Sequence, residues 1–314
     1  MEEHEYYPEK PFIEKVKVES NWGLTVFSIV LFVGVFLLVF NDQLQFVLFL
    51  ILVLFIHEMG HYAFMKLYKY ENVRMLFIPL MGAFVQGTKD KYSQKQSFIV
   101  VSAGPFPGLY LGVVLLILSS IYKFDWFIEL SFLFLFLNVI NLLPIDPLDG
   151  GQLFKLMVNR KRDLFLLIFA LLSSLTLIGF GFLINSWMMI GFGFIMAIKI
   201  RSIQRNYIIR KKLDQLNVNY ISTYEELPNR SYALIRDVVI EETPTLRKYL
   251  EISEESNDDV LASHVNSVLI APITYDVSKI VKFFFVLFWL FSISLPFILV
   301  LSNFLNFDWY FEKL

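Results

Sequence analysis

Residues 51–70, ILVLFIHEMGHYAFMKLYKY, decide how the rest of the chain is read, because they place His57, Glu58 and His61 inside an apolar run long enough to cross a membrane. An ionisable side chain at a bilayer centre costs about 2.5–3.5 kcal/mol on insertion scales, so three together call for a function. On a helix, positions i and i+4 share a face, so the two imidazoles can hold one metal ion. Glu58, beside the first of them, can then reach a metal-bound water as a general base. The bland alternative has both histidines satisfied by neighbouring helices or a wet cavity, with the glutamate as their hydrogen-bond partner.

The surrounding composition agrees with a membrane setting. Of 314 residues, 56% are hydrophobic and 17% aromatic, only 18% are charged, and the mean hydropathy is +0.59. A formal charge of −2 provides no basic face for nucleic acid. Cysteine is absent, which excludes disulfides and thiolate ligands and leaves histidine and carboxylate for any transition metal. The expected fold is an all-α polytopic membrane protein. It has about seven transmembrane helices, a short membrane-associated β-hairpin or re-entrant segment, and a small cytosolic domain.

Residues 1–20 read as a polar cytosolic N-terminal segment without the short basic start of a signal peptide. Residues 21–200 read as the membrane core. Its first span is 21–40, with Lys10, Lys15 and Lys17 before it and no Lys or Arg in the turn at 41–45, so the positive-inside rule puts the N-terminus in the cytosol. The span carrying His57 then returns toward the cytosol. Residues 72–88 (NVRMLFIPLMGAFVQGT) are too short and too broken by Pro79, Gly82 and Gly87 for another span, and their β-branched and aromatic content suggests strands or a re-entrant hairpin. A plain connector is the equal alternative. If a strand forms, its open edge can accept an extended peptide.

Further spans are expected at 97–121, opening on SAGPFPG, and at about 125–143. The latter leads into NVINLLPIDPLDGGQ (138–152), where Pro144 and Pro147 stop the helix and Gly150–Gly151 permit a tight turn, leaving Asp149 on irregular backbone at a membrane boundary. Alternating crossings put the ends of the second and fourth spans on the same, cytosolic, side, so His57 and Asp149 can meet. Two short spans, 164–184 and 187–200, are expected as a hairpin, followed by the basic cluster from Lys199 to Lys212. Residues 201–277 read as the small cytosolic domain, in which His264 is an ordinary polar histidine. Residues 278–302 read as a last span and 303–314 as an interfacial tail.

His57-Glu58-Met59-Gly60-His61 in an apolar segment, then Gly104-Pro105, then Asn141-Leu142-Leu143-Pro144 leading into Leu148-Asp149-Gly150, resembles the site-2 protease family of intramembrane zinc metalloproteases. Asp146, between the two prolines, departs from the family pattern, which more often has an uncharged residue there. The resemblance covers roughly residues 45–160. It implies one Zn2+ held by His57, His61 and Asp149, Glu58 as the catalytic base, and Asn141 and Pro144 engaging an unwound substrate near the metal. It also implies hydrolysis of peptide bonds in or near transmembrane segments of membrane-tethered substrates, at the cytosolic side of a cell membrane. The partners expected are the lipid bilayer, a transmembrane protein or peptide substrate, and a regulatory protein or a second copy of the chain. A catalytically silent adaptor of the same fold is the alternative function. A metal-ion transporter is a third, although it would want polar residues along a path through the bilayer rather than gathered on one side.

Overall fold

The computed structural model describes residues 7–13, 22–39, 43–79, 82–159, 161–252 and 257–301. The expectations for residues 303–314, for most of residues 1–20 and for part of the acidic run Glu254 to Asp259 fall outside them. The chain divides into two compact units, one drawn from residues 17–89, 93–157 and 275–314, the other from 1–16, 90–92 and 158–274.

The first unit runs through α1 (Trp22–Val39), α2 (Leu44–Leu67), the strands β1 (Glu71–Ile78) and β2 (Gly82–Thr88), α3 (Gln94–Ser102), α4 (Pro105–Tyr122), α5 (Asp125–Asn141) and α6 (Asp149–Met157). The second holds α7 (Arg162–Leu183), α8 (Trp187–Gln215), α9 (Asn229–Glu242), α10 (Pro244–Ile252) and α11 (Asp258–Val268), after which α12 (Lys279–Leu301) belongs again to the first. The described chain is mostly helical. Four helices are long and apolar enough to cross a membrane: Leu44–Leu67, Gln94–Tyr122 (α3 with α4), Arg162–Leu183 and Lys279–Leu301. At 1.5 Å per residue, the 24 residues of α2 reach about 36 Å, more than the ~30 Å of hydrocarbon. The 17 residues of α5 reach only about 26 Å before the prolines end it.

Residues 71–88 do form a hairpin. β1 and β2 pair antiparallel with Met75 opposite Val85 and Ile78 opposite Gly82, and Gly82 takes a φ of +99°, which favours glycine. Val73, Met75 and Phe77 alternate into the core. Two hydroxyls inside α1 meet the strand: Thr25 Oγ1 donates to the Met75 carbonyl at 2.8 Å, and Ser28 Oγ accepts from the Phe77 N–H at 3.1 Å. In an antiparallel pair a residue's N–H and C=O point to the same edge. Met75 and Phe77 therefore face away from β2, and their partners Val85 and Ala83 face the outer edge of β2.

One expectation needs correction. Asp149 does not lie on irregular backbone: it opens α6, and the paired glycines serve close packing rather than a tight turn. A Cβ on Gly150 would lie 2.1 Å from the Leu142 carbonyl oxygen, and one on Gly151 2.5 Å from that of Ile145, so only glycines let α6 fold back against the segment before it. α8 runs unbroken for 29 residues from its apolar start through the basic cluster, since no Gly or Pro interrupts residues 194–215. It pairs with α7 as the expected hairpin, where Ser174 Oγ donates to the Gly193 carbonyl at 2.9 Å. The polar helices α9 and α11 pack against α8 around Ile209, Leu213, Ile235 and Val265.

Candidate metal centre

His57, Glu58 and His61 sit on the buried face of α2, each less than a tenth exposed. The fold brings Asp149 to them from the start of α6. Its Oδ2 lies 3.0 Å from His57 Nε2 and 3.3 Å from His61 Nε2, and the two Nε2 atoms are 3.3 Å apart. Three potential ligand atoms thus converge.

The far side of each ring shows what those atoms carry. His61 Nδ1 is 2.8 Å from the Val100 carbonyl oxygen, which can only accept, so Nδ1 holds the proton. His57 Nδ1 is 2.8 Å from Asn138 Oδ1, and the same amide donates its Nδ2 to the Phe134 carbonyl at 2.7 Å, so its oxygen faces the ring and again accepts. When both rings are neutral, both Nε2 atoms point lone pairs at a carboxylate oxygen. Three acceptors packed this closely repel unless a cation lies among them. Tetrahedral zinc with bonds of about 2.0–2.1 Å spaces its ligands roughly 3.3–3.4 Å apart, close to the three separations found. The donor set therefore fits a zinc ion with three protein ligands and one position left for water or substrate.

The remaining aspartate is engaged elsewhere. Asp146 is buried, accepts from Lys155 Nζ at 2.6 Å and from Gln152 Nε2 at 3.2 Å, and is not among the converging groups.

Close packing sets the site. A Cβ on Gly60 would fall 1.9 Å from the Ala103 carbonyl oxygen, and one on Gly104 2.2 Å from His61 Nε2. These glycines let α2 press onto the α3–α4 junction. On the other flank the Val85 backbone of β2 reaches the Glu58 carboxylate, so the hairpin lies beside the helix as expected. From α12, Trp289 Nε1 donates to the Leu142 carbonyl at 2.9 Å and tethers the segment before Asp149.

Asn141 ends α5, half-buried, and Pro144 is exposed in the turn that follows. Among the described residues, no hydrogen bond joins Asn141 to the three converging groups. His264 bonds its own helix, through the Val260 carbonyl at 2.8 Å. Asn138, Val100 and Trp289 were not singled out from sequence. Asn138 had a signal, as a polar side chain within an apolar helix. The Val100 carbonyl had none.

The family model of peptidase family M50 matches residues 45–127, a segment that holds the histidine pair and stops before Asp149. Stage IV sporulation protein FB of Bacillus subtilis (strain 168) is 30% identical over 119 residues, 36% of this chain and 40% of that protein. Zinc metalloprotease MJ0392 of Methanocaldococcus jannaschii is 30% identical over 111 residues, 34% of this chain and 32% of that protein. The chain thus spans well under half the length of either relative. Among solved structures, the Site-2 Protease from Methanocaldococcus jannaschii aligns with a TM-score of 0.42 and 24% identity, over 56% of this chain and 87% of that one. Residues 45–127 of this multi-pass membrane chain thus resemble peptidase family M50, the family of the site-2 proteases.

Proposed function

We propose that this chain is an intramembrane zinc endopeptidase that cuts peptide bonds in or near transmembrane segments of membrane-tethered proteins, as in regulated intramembrane proteolysis. The observation that carries it is the convergence of His57 Nε2, His61 Nε2 and Asp149 Oδ2 beside buried Glu58 on an apolar helix. The M50 match agrees with it, as does one relative's being a zinc metalloprotease by name. In this reading the chain crosses the bilayer about seven times, with its N-terminus and active site toward the cytosol.

His57, His61 and Asp149 would hold one zinc ion, which when bound would supply Lewis acidity toward the scissile carbonyl and the attacking water. Glu58 takes the proton from the attacking water and delivers it to the leaving amine. The outer edge of β2, whose Val85 already meets Glu58, is placed to align an extended substrate strand, because the matching edge of β1 is occupied by Thr25 and Ser28. Asn141 and Pro144 engage the unwound substrate where α5 gives way to α6. A helical substrate must unwind first, since its carbonyls are already hydrogen-bonded. Substrates with helix-weakening residues near the cut should therefore be preferred. The partners are the bilayer, that substrate, and a regulatory protein or second copy.

Purified protein and its Glu58→Gln variant, incubated with a model transmembrane substrate, test the reading. The variant should keep its zinc and lose cleavage. Unchanged cleavage would exclude Glu58 as the base and the mechanism with it.

A further inference from the structure

Asn138 carries out a task that neither motif assigns. It lies on α5, wholly buried, eighty-one residues from its partner on α2. Both ends of its amide are committed, the nitrogen to the Phe134 carbonyl one turn back and the oxygen to His57 Nδ1. The first bond prevents the amide from turning over. Its oxygen can then only accept, so Nδ1 of His57 carries a proton and Nε2 is the nitrogen turned toward Asp149. The site has been cleared for this side chain: a Cβ on Gly108 of α4 would lie 2.5 Å from Asn138 Nδ2 and 2.8 Å from Oδ1.

We propose that Asn138 is a positioning residue for the metal centre, which sets the tautomer and ring angle of His57 so that its Nε2 lone pair is presented as a ligand. The proposal rests on the metal-site reading given above. The two histidines are then held by unlike means, His61 by a main-chain carbonyl that no substitution removes and His57 by one exchangeable side chain. Because the amide is neutral, it orients the ring without adding a second buried carboxylate beside Asp149. Outer partners of ligating histidines are typically worth 10–100-fold in metal affinity, so the contact is large enough to measure.

The test compares zinc affinity and the visible spectrum of the cobalt-substituted protein for wild type, Asn138→Asp and Asn138→Leu, with His57→Ala as the ligand-loss control. Asn138→Asp keeps an acceptor facing Nδ1 and should bind zinc within a few-fold of wild type with a four-coordinate cobalt spectrum. Asn138→Leu keeps the volume and removes the acceptor, so it should lose 10–100-fold in affinity and show an altered cobalt spectrum. A folded leucine variant that matches wild type in both would overturn the role of Asn138 and leave the metal site standing. A wild type that takes up neither ion would overturn the metal-site reading and this proposal together. Should the leucine variant fail to fold, the 15N shifts of His57 in metal-free wild type read the tautomer directly. A proton on Nδ1 is expected, and a proton found on Nε2 alone would overturn the assignment.

Discussion

Gly60 occupies one of the two free positions of the His-Glu-x-x-His pattern, and the packing leaves it no choice of side chain. In Gly60→Ala the new methyl would meet the Ala103 carbonyl oxygen at 1.9 Å, its carbon at 2.6 Å and the Gly104 nitrogen at 3.2 Å. All three are main-chain atoms, so no rotamer can give way. Reaching even a 3.0 Å contact requires α2 and the α3–α4 junction to separate by about 1.1 Å. That junction also holds His61, through the Val100 carbonyl and the close approach of Gly104, so the displacement passes straight to one of the three converging groups. Misplacing reacting groups by about 1 Å costs on the order of 100-fold in rate. Overpacking of this kind costs about 1–3 kcal/mol of stability. Gly34→Ala in α1 is the control, since nothing lies within 4 Å of its added methyl and the exchange raises helix propensity by up to about 1 kcal/mol. The assay is cleavage of a transmembrane substrate in bilayer discs alongside thermal unfolding. A Gly60→Ala protein with wild-type rate and melting temperature, or a Gly34→Ala protein damaged as badly, would refute the packing account.

Three other outcomes are expected. Lys155→Met takes away the ammonium 2.6 Å from the buried Asp146 carboxylate, where breaking a pair costs about 3–5 kcal/mol, whereas Asp146→Asn with Lys155→Met together should recover much of it; a double variant no better than the single would show that the pair is not the cause. Asp276 accepts from Ser93 Oγ at 2.6 Å and from the Lys95 N–H at 2.8 Å; burial pushes its carboxyl up, but these bonds outweigh it and hold the pKa below the ordinary value. Its stabilisation is therefore present above the unfolded carboxylate pKa of about 3.9 and is lost as pH falls through the lower folded value, so Asp276→Asn should flatten the acid limb of melting temperature against pH. Tyr220 is pushed up to about 12, first by burial and then by the nearby Asp214 carboxylate, and Tyr224 likewise to about 12 by burial and by Tyr232. Folding stability they contribute is intact below pH 10 and lost between 10 and 12; tyrosinate absorbance should show a late-titrating pair reduced by Tyr220→Phe, and a uniform titration near 10 would contradict it.

What could be read without coordinates followed from the cost of each residue in its setting. His57, Glu58 and His61 stood out because charge inside apolar sequence is expensive, and Asp149 because prolines and glycines framed it in a recognisable order. The hairpin at 71–88 was half legible, since Pro79 and Gly82 broke a stretch too short to span. The four helices long and apolar enough to cross a membrane followed from apolar length alone. Asp149 at the head of α6 was missed because Gly150 and Gly151 argue for a turn on local propensity, while their actual constraint is the approach of the Leu142 and Ile145 carbonyls. The change in polarity near residue 201 falls within α8, because side-chain polarity says nothing about where a hydrogen-bond ladder ends.

The least legible features are those in which a main-chain atom is one partner. The Val100 carbonyl fixes His61, the Ala103 carbonyl demands Gly60, and the Met75 carbonyl and Phe77 N–H take up Thr25 and Ser28. Every residue offers the same backbone groups, so sequence marks only the side-chain half of each contact: a small residue, or a lone hydroxyl in an apolar run. Yet those contacts determine which edge of the hairpin stays open. Because α1 occupies β1, the pairing register turns the backbone of Val85 and Ala83 to the other edge, where that of Val85 meets Glu58. Replacing Thr25 and Ser28 by Val and Ala should loosen the β1 side without touching a ligand or the base, so cleavage should fall while zinc affinity holds. A parallel loss of zinc would instead mean that α1 supports the metal centre itself.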